Sequence, residues 1–251
     1  MKVLCILQAR CSSKRLRNKV LMKILEKPMI QMQIERIKKS KLIDELVIAT
    51  STSPDDDLLE KKLYSVPVIR GPLRDVLKRF YIVAKKYKPQ HIVRLTGDCP
   101  LIDPRIIDSI VLTHLKENND YTSNTLIPTY PDGLDVEIFK YEALVESFKY
   151  AKKISEKEHV TLYIKNSKNK FKLRNVKNKI NFSGLRWTVD YKEDFFLIKK
   201  IYEALYKKNK IFYMNEIIKL IIKNPDLEKI NKKYERDYGL KVSLSKDKKV
   251  N

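Results

Sequence analysis

Glycine is scarce in this 251-residue chain: there are five, and Gly71 is the sole one among the first ninety-six residues. A GxGxxG dinucleotide fingerprint and a GxxxxGK[ST] phosphate loop both need glycines where backbone meets phosphate, so both are excluded. An anion bound after the first strand must therefore be held by side chains. No run of about 18 apolar residues exists, so no ordinary membrane-spanning helix is expected. The three cysteines, Cys5, Cys11 and Cys99, are odd in number and lack CxxC spacing. That excludes a disulfide scaffold and fits a reducing cytoplasm. The opening MKVLCILQAR shows no small-residue cleavage site and reads as a buried strand, not a signal peptide.

What is abundant is positive charge: 53 Lys and Arg against 31 Asp and Glu, a formal +22. The excess is spread along the chain without a dense block or an aromatic-interleaved stripe. Much of it is lysine on polar helix faces, as at Lys199, Lys200, Lys207, Lys208 and Lys210. A solvated surface is the expectation, and nucleic acid is not an expected partner. With 43% hydrophobic residues, the chain should form one domain over residues 1–230, followed by a loosely ordered tail over 231–251.

Short apolar runs at Val3–Leu7, Leu46–Ala49, Val66–Ile69 and His91–Leu95 alternate with helical spacing at Met29–Ile37, Asp55–Tyr64 and Val76–Tyr87. This is the βαβ signature of an α/β fold with a parallel sheet covered on both faces. Ligands bind such sheets beyond the carboxyl ends of the strands, and the segments there are all polar. Further on, residues 121–139 predict extended segments around a Pro-Asp-Gly turn, either a hairpin or a projecting arm. Residues 141–151 and 156–166 read as helices, Leu185–Val189 as a late strand, and Glu193–Leu205 and Met214–Lys223 as amphipathic helices.

Several segments carry candidate chemistry. After the first strand, Arg10, Lys14, Arg15, Arg17 and Lys19 crowd ten residues beside Ser12 and Ser13. Cations at that density repel one another, and a polyphosphate would relieve them. An ordinary solvated basic loop is the alternative. The fourth strand ends in Thr96-Gly97-Asp98-Cys99-Pro100. There Gly97 permits a close backbone approach, and Asp98 could hold a divalent metal, cap a helix or pair with an arginine. Asp103-Pro104 reads as a helix cap. Asp190 follows the late strand and would reach the same edge if that strand joins the sheet; Asp98 and Asp190 together suit Mg²⁺, while Asp190 could instead cap the next helix. Asp135 and Glu137 alternate with apolar residues and so share one strand face, suited to positioning a sugar hydroxyl or a cation. His159 lies between Glu158 and Thr161 and is open to a structural or a site role. No side chain stands out as a general base.

These segments resemble the cytidylyltransferases that make CMP-activated acid sugars, and most closely their spore-coat-polysaccharide branch. The resemblance rests on Gln8-Ala-Arg…Ser13…Arg15-Leu…Lys19-Val-Leu, Ile48-Ala-Thr-Ser, Gly71…Asp75-Val-Leu…Arg79 and Arg94-Leu-Thr-Gly-Asp-Cys-Pro-Leu-Ile-Asp. It continues through Tyr130-Pro-Asp-Gly-Leu-Asp-Val-Glu, Glu158-His-Val-Thr and Arg186-Trp-Thr-Val-Asp, in order over about residues 1–205. It implies a three-layer α/β/α fold of the nucleotide-diphospho-sugar-transferase type with a mainly parallel sheet. It also implies a homodimer whose arm near 121–139 reaches the partner. By motif, Arg10, Ser13, Arg15, Lys19, Asp75 and Thr96 would hold the nucleotide, with Arg15, Lys19 and Asp98 in catalytic roles. Asp98 and Asp190 would hold Mg²⁺; Asp135, Glu137, His159 and Arg186 would face the acceptor. The chain departs from the family opening at Ser12, where glycine is usual, and at Arg17-Asn18, where proline begins the pair.

The implied reaction is attack of an oxygen of an acidic sugar or sugar phosphate on the α-phosphorus of CTP, with pyrophosphate leaving. Positioning and charge neutralisation should dominate such a transfer. A glycosyltransferase of the same fold and a non-catalytic polyanion-binding protein remain as alternatives.

Overall fold

A computed structural model describes residues 2–63, 65–167, 170–207 and 210–247; Tyr64, Lys208 and residues 248–251 of the expected tail lie outside the described residues. The apolar runs become strands. β1 (Val3–Gln8) leads through a small hairpin, β2 (Lys23–Ile24) and β3 (Lys27–Pro28), to α1 (Met29–Ile37), followed by β4 (Glu45–Ser51), α2 (Asp57–Lys62) and β5 (Val68–Gly71). Then come α3 (Val76–Tyr87), β6 (His91–Thr96), α4 (Pro104–Glu117), β7 (Tyr121–Ser123) and β8 (Glu137–Lys140). After β8 the chain is mainly helical: α5 (Tyr141–Tyr150), α6 (Ile154–Glu158), α7 (Leu162–Asn166), β9 (Leu173–Asn175), α8 (Lys192–Leu205), α9 (Met214–Lys223), α10 (Asp226–Lys229) and α11 (Tyr238–Asp247).

The sheet order is β5-β4-β1-β6-β8-β7-β9. β5, β4, β1 and β6 are parallel, and β8 runs antiparallel to both β6 and β7. Alternation along β1 divides the core between the two faces. Val3, Cys5 and Leu7 join the layer of α1, α4, α8 and α9, while Leu4 and Ile6 join that of α3 and α5. The expected three-layer α/β fold with a mainly parallel sheet is what forms.

Three local expectations give way, and one pair of alternatives is resolved. Residues 121–139 take the hairpin form and not that of a projecting arm: β7 and β8 pair antiparallel as interior strands, and Tyr130–Leu134 is buried between them and the segment around Trp187. Gly133, at φ +106°, makes that packing possible, since a Cβ there would stand 2.6 Å from the Thr188 nitrogen. Leu185–Val189 is not a sheet strand. It lies extended and bonds its main chain to Asp132 and, through the Val189 N–H, to the Asp98 carbonyl (2.8 Å). The helix expected over 156–166 breaks into α6 and α7 because Val160 is left-handed (φ 47°), a conformation a β-branched residue rarely takes. Finally, residues 231–247 are not loose: α11 packs on α6, with Ser243 donating to Glu158 (2.7 Å) and the Asp247 carboxylate accepting from Ser155.

Candidate active site

The loop after β1 is shaped by its own polar groups. The Cys11 N–H donates to the buried Asp56 carboxylate (2.6 Å), the Cys11 carbonyl accepts from Ser13 and Asn18, and Asn18 turns left-handed at φ 58°. Leu16 anchors the middle of the loop in the core. Arg15 and Arg17 therefore face outward, while the turn beginning at Lys19 points its side chain inward. Across from it, Gly97 packs against the end of β1: a Cβ there would lie 2.9 Å from Ala9 Cβ. The close approach foreseen for Gly97 is thus between two strand ends.

Lys19 is 7% exposed. Its ammonium donates to Asp98 Oδ2 (3.1 Å), Asp190 Oδ1 (2.9 Å) and the Val189 carbonyl (2.7 Å). Burial alone would lower the Lys19 pKa, but the two carboxylates outweigh it and raise the pKa. Burial would likewise raise Asp98, yet the Lys19 charge holds it below the usual carboxylate range. Arg15 donates to the same Asp190 oxygen (2.6 Å) and lies near the rings of Tyr191 and Tyr238. Arg15, Lys19, Asp98 and Asp190 thus meet at one point, as the motifs implied. The cations are not uncompensated, however: Asp98 and Asp190 neutralise Lys19 and Arg15, and Asp55 pairs with Arg17 at 2.8 Å.

Arg186 also reaches this cluster, in a role different from the one expected. It is 8% exposed and donates from Nε and Nη2 to Asp194 (3.0 and 3.1 Å), from Nη1 to Asp132 (2.9 Å) and the Glu235 carbonyl (3.3 Å), and from Nη2 to Asp190 (3.3 Å). A guanidinium has five N–H groups, and these five bonds use them all. Arg186 therefore ties segments together and has no donor left for an acceptor. Burial works against its charge, but Asp194 and the other carboxylates raise its pKa.

The remaining expected residues separate into edge and interior. Arg10 is half-buried next to Arg79, whose pKa falls to about 10 through burial and then through the Arg10 charge. Ser13 is half-buried on the same loop, and Thr96 meets the Cys99 thiol (3.3 Å). Asp75 caps α3, accepting from the Lys78 N–H at 2.8 Å, so its carboxylate is already engaged locally. Asp103 caps α4 as foreseen. Glu137 is the centre of a buried network, accepting from Arg94, from the Tyr121 and Thr161 hydroxyls (both 2.6 Å) and from Lys165 (3.3 Å). Burial opposes its charge, but Lys165 and Arg94 prevail and lower its pKa. Glu137 is thus committed within the protein, not turned to an acceptor. His159 is half-buried; burial, then Arg94, pushes its pKa down to about 4, and its Nε2 has no partner among the described residues. Asp135 pairs with Arg236 at 2.5 Å.

Two residues went unassigned from sequence. Arg79 is 3% exposed, its Nε is without a partner among the described residues, and the buried hydroxyls of Ser12 and Thr50 share that condition. Its signal was visible: Arg79 occupies the apolar stripe Val76, Phe80, Val83 of α3, where an arginine needs a reason. Arg236 had no such signal, since it lies in the stretch expected to be loose.

Similarity to known proteins agrees with this geometry. The spore coat polysaccharide biosynthesis protein SpsF of Bacillus subtilis is 34% identical over 233 residues, 89% of this chain and 95% of that one. A 3-deoxy-manno-octulosonate cytidylyltransferase of Geotalea uraniireducens is 30% identical over 56% of this chain and 57% of its own length. The solved structure of a cytidylyltransferase from Leptospira borgpetersenii superposes with a TM-score of 0.86 at 32% identity, over 91% of this chain and 97% of that one. The cytidylyltransferase family pattern matches residues 4–235. With its cations and carboxylates converging at the end of a parallel sheet, the chain belongs to the cytidylyltransferase family and is a CTP-using nucleotidyltransferase.

Proposed function

We propose that the protein transfers CMP from CTP to an acidic sugar or sugar phosphate with Mg²⁺, releasing pyrophosphate for the synthesis of a surface polysaccharide. The observation that carries this reading is the Lys19 ammonium held between Asp98 and Asp190. Two carboxylates and a main-chain carbonyl already surround one cation there. Such a hard-oxygen set fits Mg²⁺, which takes few protein carboxylates and completes its shell with phosphate oxygens and water. Asp98 and Asp190 would hold the ion, which would supply neutralisation of phosphate charge.

The protein's own residues do the rest. Lys19 and Arg15 exchange their carboxylate partners for phosphate oxygens, so charge developing on pyrophosphate meets cations fixed in advance. Arg10, together with the Arg79 Nε and the Ser12 and Thr50 hydroxyls that have no partner among the described residues, lies on the same edge and suits the remainder of the nucleotide. Arg186 fixes Asp190 through its bonds to Asp194 and Asp132, limiting reorganisation during transfer. The exposed apolar residues Ile127 (56%), Leu173 (37%) and Ile180 (62%) suit the homodimer that the family resemblance carries with it; sedimentation checks that assembly.

Pyrophosphate release tests the reading. Each of the four nucleoside triphosphates is mixed with Mg²⁺ and a panel of sugar acids and sugar phosphates. Release is expected with CTP and an acid, and it should vanish on chelation and in Asp98→Asn. Equal release from all four nucleotides would remove the cytidine assignment, and release with neutral sugars alone would remove the acidic acceptor.

A further inference from the structure

The segment after α10 crosses the site and is fastened on both sides. Asn231 donates to the Arg186 carbonyl (2.9 Å) and to Asp194 (2.8 Å), and the Tyr234 ring stacks on Tyr191 at 3.8 Å between centroids. Asp237 then turns left-handed (φ 59°), and α11 leads away to its polar contacts with α6. Arg236 stands at this turn. Its guanidinium donates to Asp135 (2.5 Å) and to the Tyr130 carbonyl (3.2 Å), and its side chain remains 16% exposed beside an Asp135 that is 29% exposed.

Among the described residues these two bonds engage two of the five N–H groups of Arg236. Arg186 has all five engaged, and Arg94 is tied to Gln8 and Glu137. Of the three, Arg236 pairs with the most exposed carboxylate: the Asp135 side chain is 29% exposed, against 14% or less for the carboxylates that hold Arg186 and Arg94. Burial pushes the Asp135 pKa up to about 6 against the pull of Arg236, with Asp237 adding to the rise.

Resting on the reading that the acceptor is acidic, we propose that Arg236 is the specificity-determining residue that binds the acceptor's carboxylate or phosphate. The acid displaces Asp135 from the guanidinium, and Asp135 is left to accept from an acceptor hydroxyl. The Arg236–Asp135 pair thereby parallels the Arg15–Asp190 pair: each cation holds an internal carboxylate that a substrate anion replaces. A planar fork suits either acid, and lysine at the same place would retain charge without bidentate geometry.

Two measurements decide this. Titration calorimetry uses the full chain with Mg²⁺ and a CTP analogue carrying a methylene between its α and β phosphorus atoms. The probes are 3-deoxy-manno-octulosonate, N-acetylneuraminate and glucose 1-phosphate, with N-acetylglucosamine as the neutral control. At least one acid should bind, Arg236→Gln should weaken that acid ten-fold or more, and Arg236→Lys should lie between. Affinity for the analogue should stay within two-fold. No acid binding to the wild type, an unchanged acid affinity in Arg236→Gln, or equal losses for acid and neutral sugars would each overturn the assignment. If Arg236→Gln does not fold, Arg236→Lys must by itself show the selective loss. Pyrophosphate release then separates the two readings: turnover with an acid whose KM is unmoved in Arg236→Gln removes the role of Arg236 and leaves the acidic acceptor standing. Turnover with neutral sugars alone removes both.

Discussion

Arg15 and Lys19 stand four residues apart on one loop and meet carboxylates that end two neighbouring segments, whereas Arg186 gathers side chains from positions 132, 190 and 194 and a carbonyl from 235. The first arrangement lies at the sheet edge, near a Ser12 hydroxyl and an Arg79 Nε that have no partner among the described residues. The second is closed: every donor of Arg186 is matched. Similar ions thus serve opposite ends. Where substrate is proposed to bind, Arg15 and Asp98 stay partly exposed, and where segments must be joined the network is saturated, since an unpaired buried charge is costly.

The largest test of that contrast is Arg186→Ala. Removing the hub strands Asp132 and Asp194 in the interior, and the unfolding free energy in urea should fall by about 3–5 kcal/mol. A variant that keeps its stability and changes only an acceptor KM would return Arg186 to the binding side and break the comparison.

Lys19→Met comes next. Turnover measured by pyrophosphate release should fall about 100–1,000-fold, corresponding to about 2.7–4 kcal/mol of lost charge stabilisation. The urea midpoint should fall less than in Arg186→Ala, because Asp98 is 27% exposed and water can reach it. A larger stability loss than that of Arg186→Ala would make Lys19 chiefly a structural ion.

A pH test probes the seam between the parallel and antiparallel halves of the sheet. His91 on β6 bonds His114 on α4 (3.0 Å), and His114 bonds Thr122 on β7 (3.0 Å), all buried. Burial, then the neighbouring ring, lowers His114 to about 3, and burial lowers His91 as well. Between pH 6.5 and about 3 the unfolded chain therefore binds more protons at His114 than the folded one does. Stability from this site is present above 6.5 and lost as pH falls, by up to about 1.4 kcal/mol per pH unit. His114→Gln should flatten that limb of a urea-midpoint curve; an unchanged limb would assign the acid loss to other groups.

The smallest effect belongs to Arg17, which departs from the family opening. Its pair with Asp55 is exposed (71% and 40%), so Arg17→Ala should change stability by less than about 0.5 kcal/mol. Its turnover should stay within two-fold; a ten-fold loss in pyrophosphate release would bring Arg17 into the phosphate-binding set.

Much of the fold was legible because its signals are local. The apolar runs at 3–7, 46–49 and 91–95 lie within β1, β4 and β6, and the spacing at 76–87 matches α3 residue for residue. The helix over 156–166 was missed at Val160, since its left-handed turn contradicts the preference of its own side chain and is imposed by surroundings. At the site, the convergence of Arg15, Lys19, Asp98 and Asp190 was readable because parallel strands deliver their succeeding loops to one edge. Glu137 and Arg186 were misread because decisive partners are distant along the chain: Arg94 lies 43 residues from Glu137, and Asp132 and Glu235 lie 54 and 49 residues from Arg186.

The sequence by itself determined the α/β class, the polar edge beyond β1 and β6, and the residue types a triphosphate and a metal would need, because periodicity and strand order act over short stretches of chain. Tertiary structure alone decided which charges are spent inside the protein and which stay near solvent. It buried Arg186 among carboxylates, committed Glu137 to Arg94 and Lys165, and brought Arg236 from an expected tail to Asp135. The physical reason is that an ion's role depends on its desolvation and its nearest partners, and both are set by segments far away along the chain.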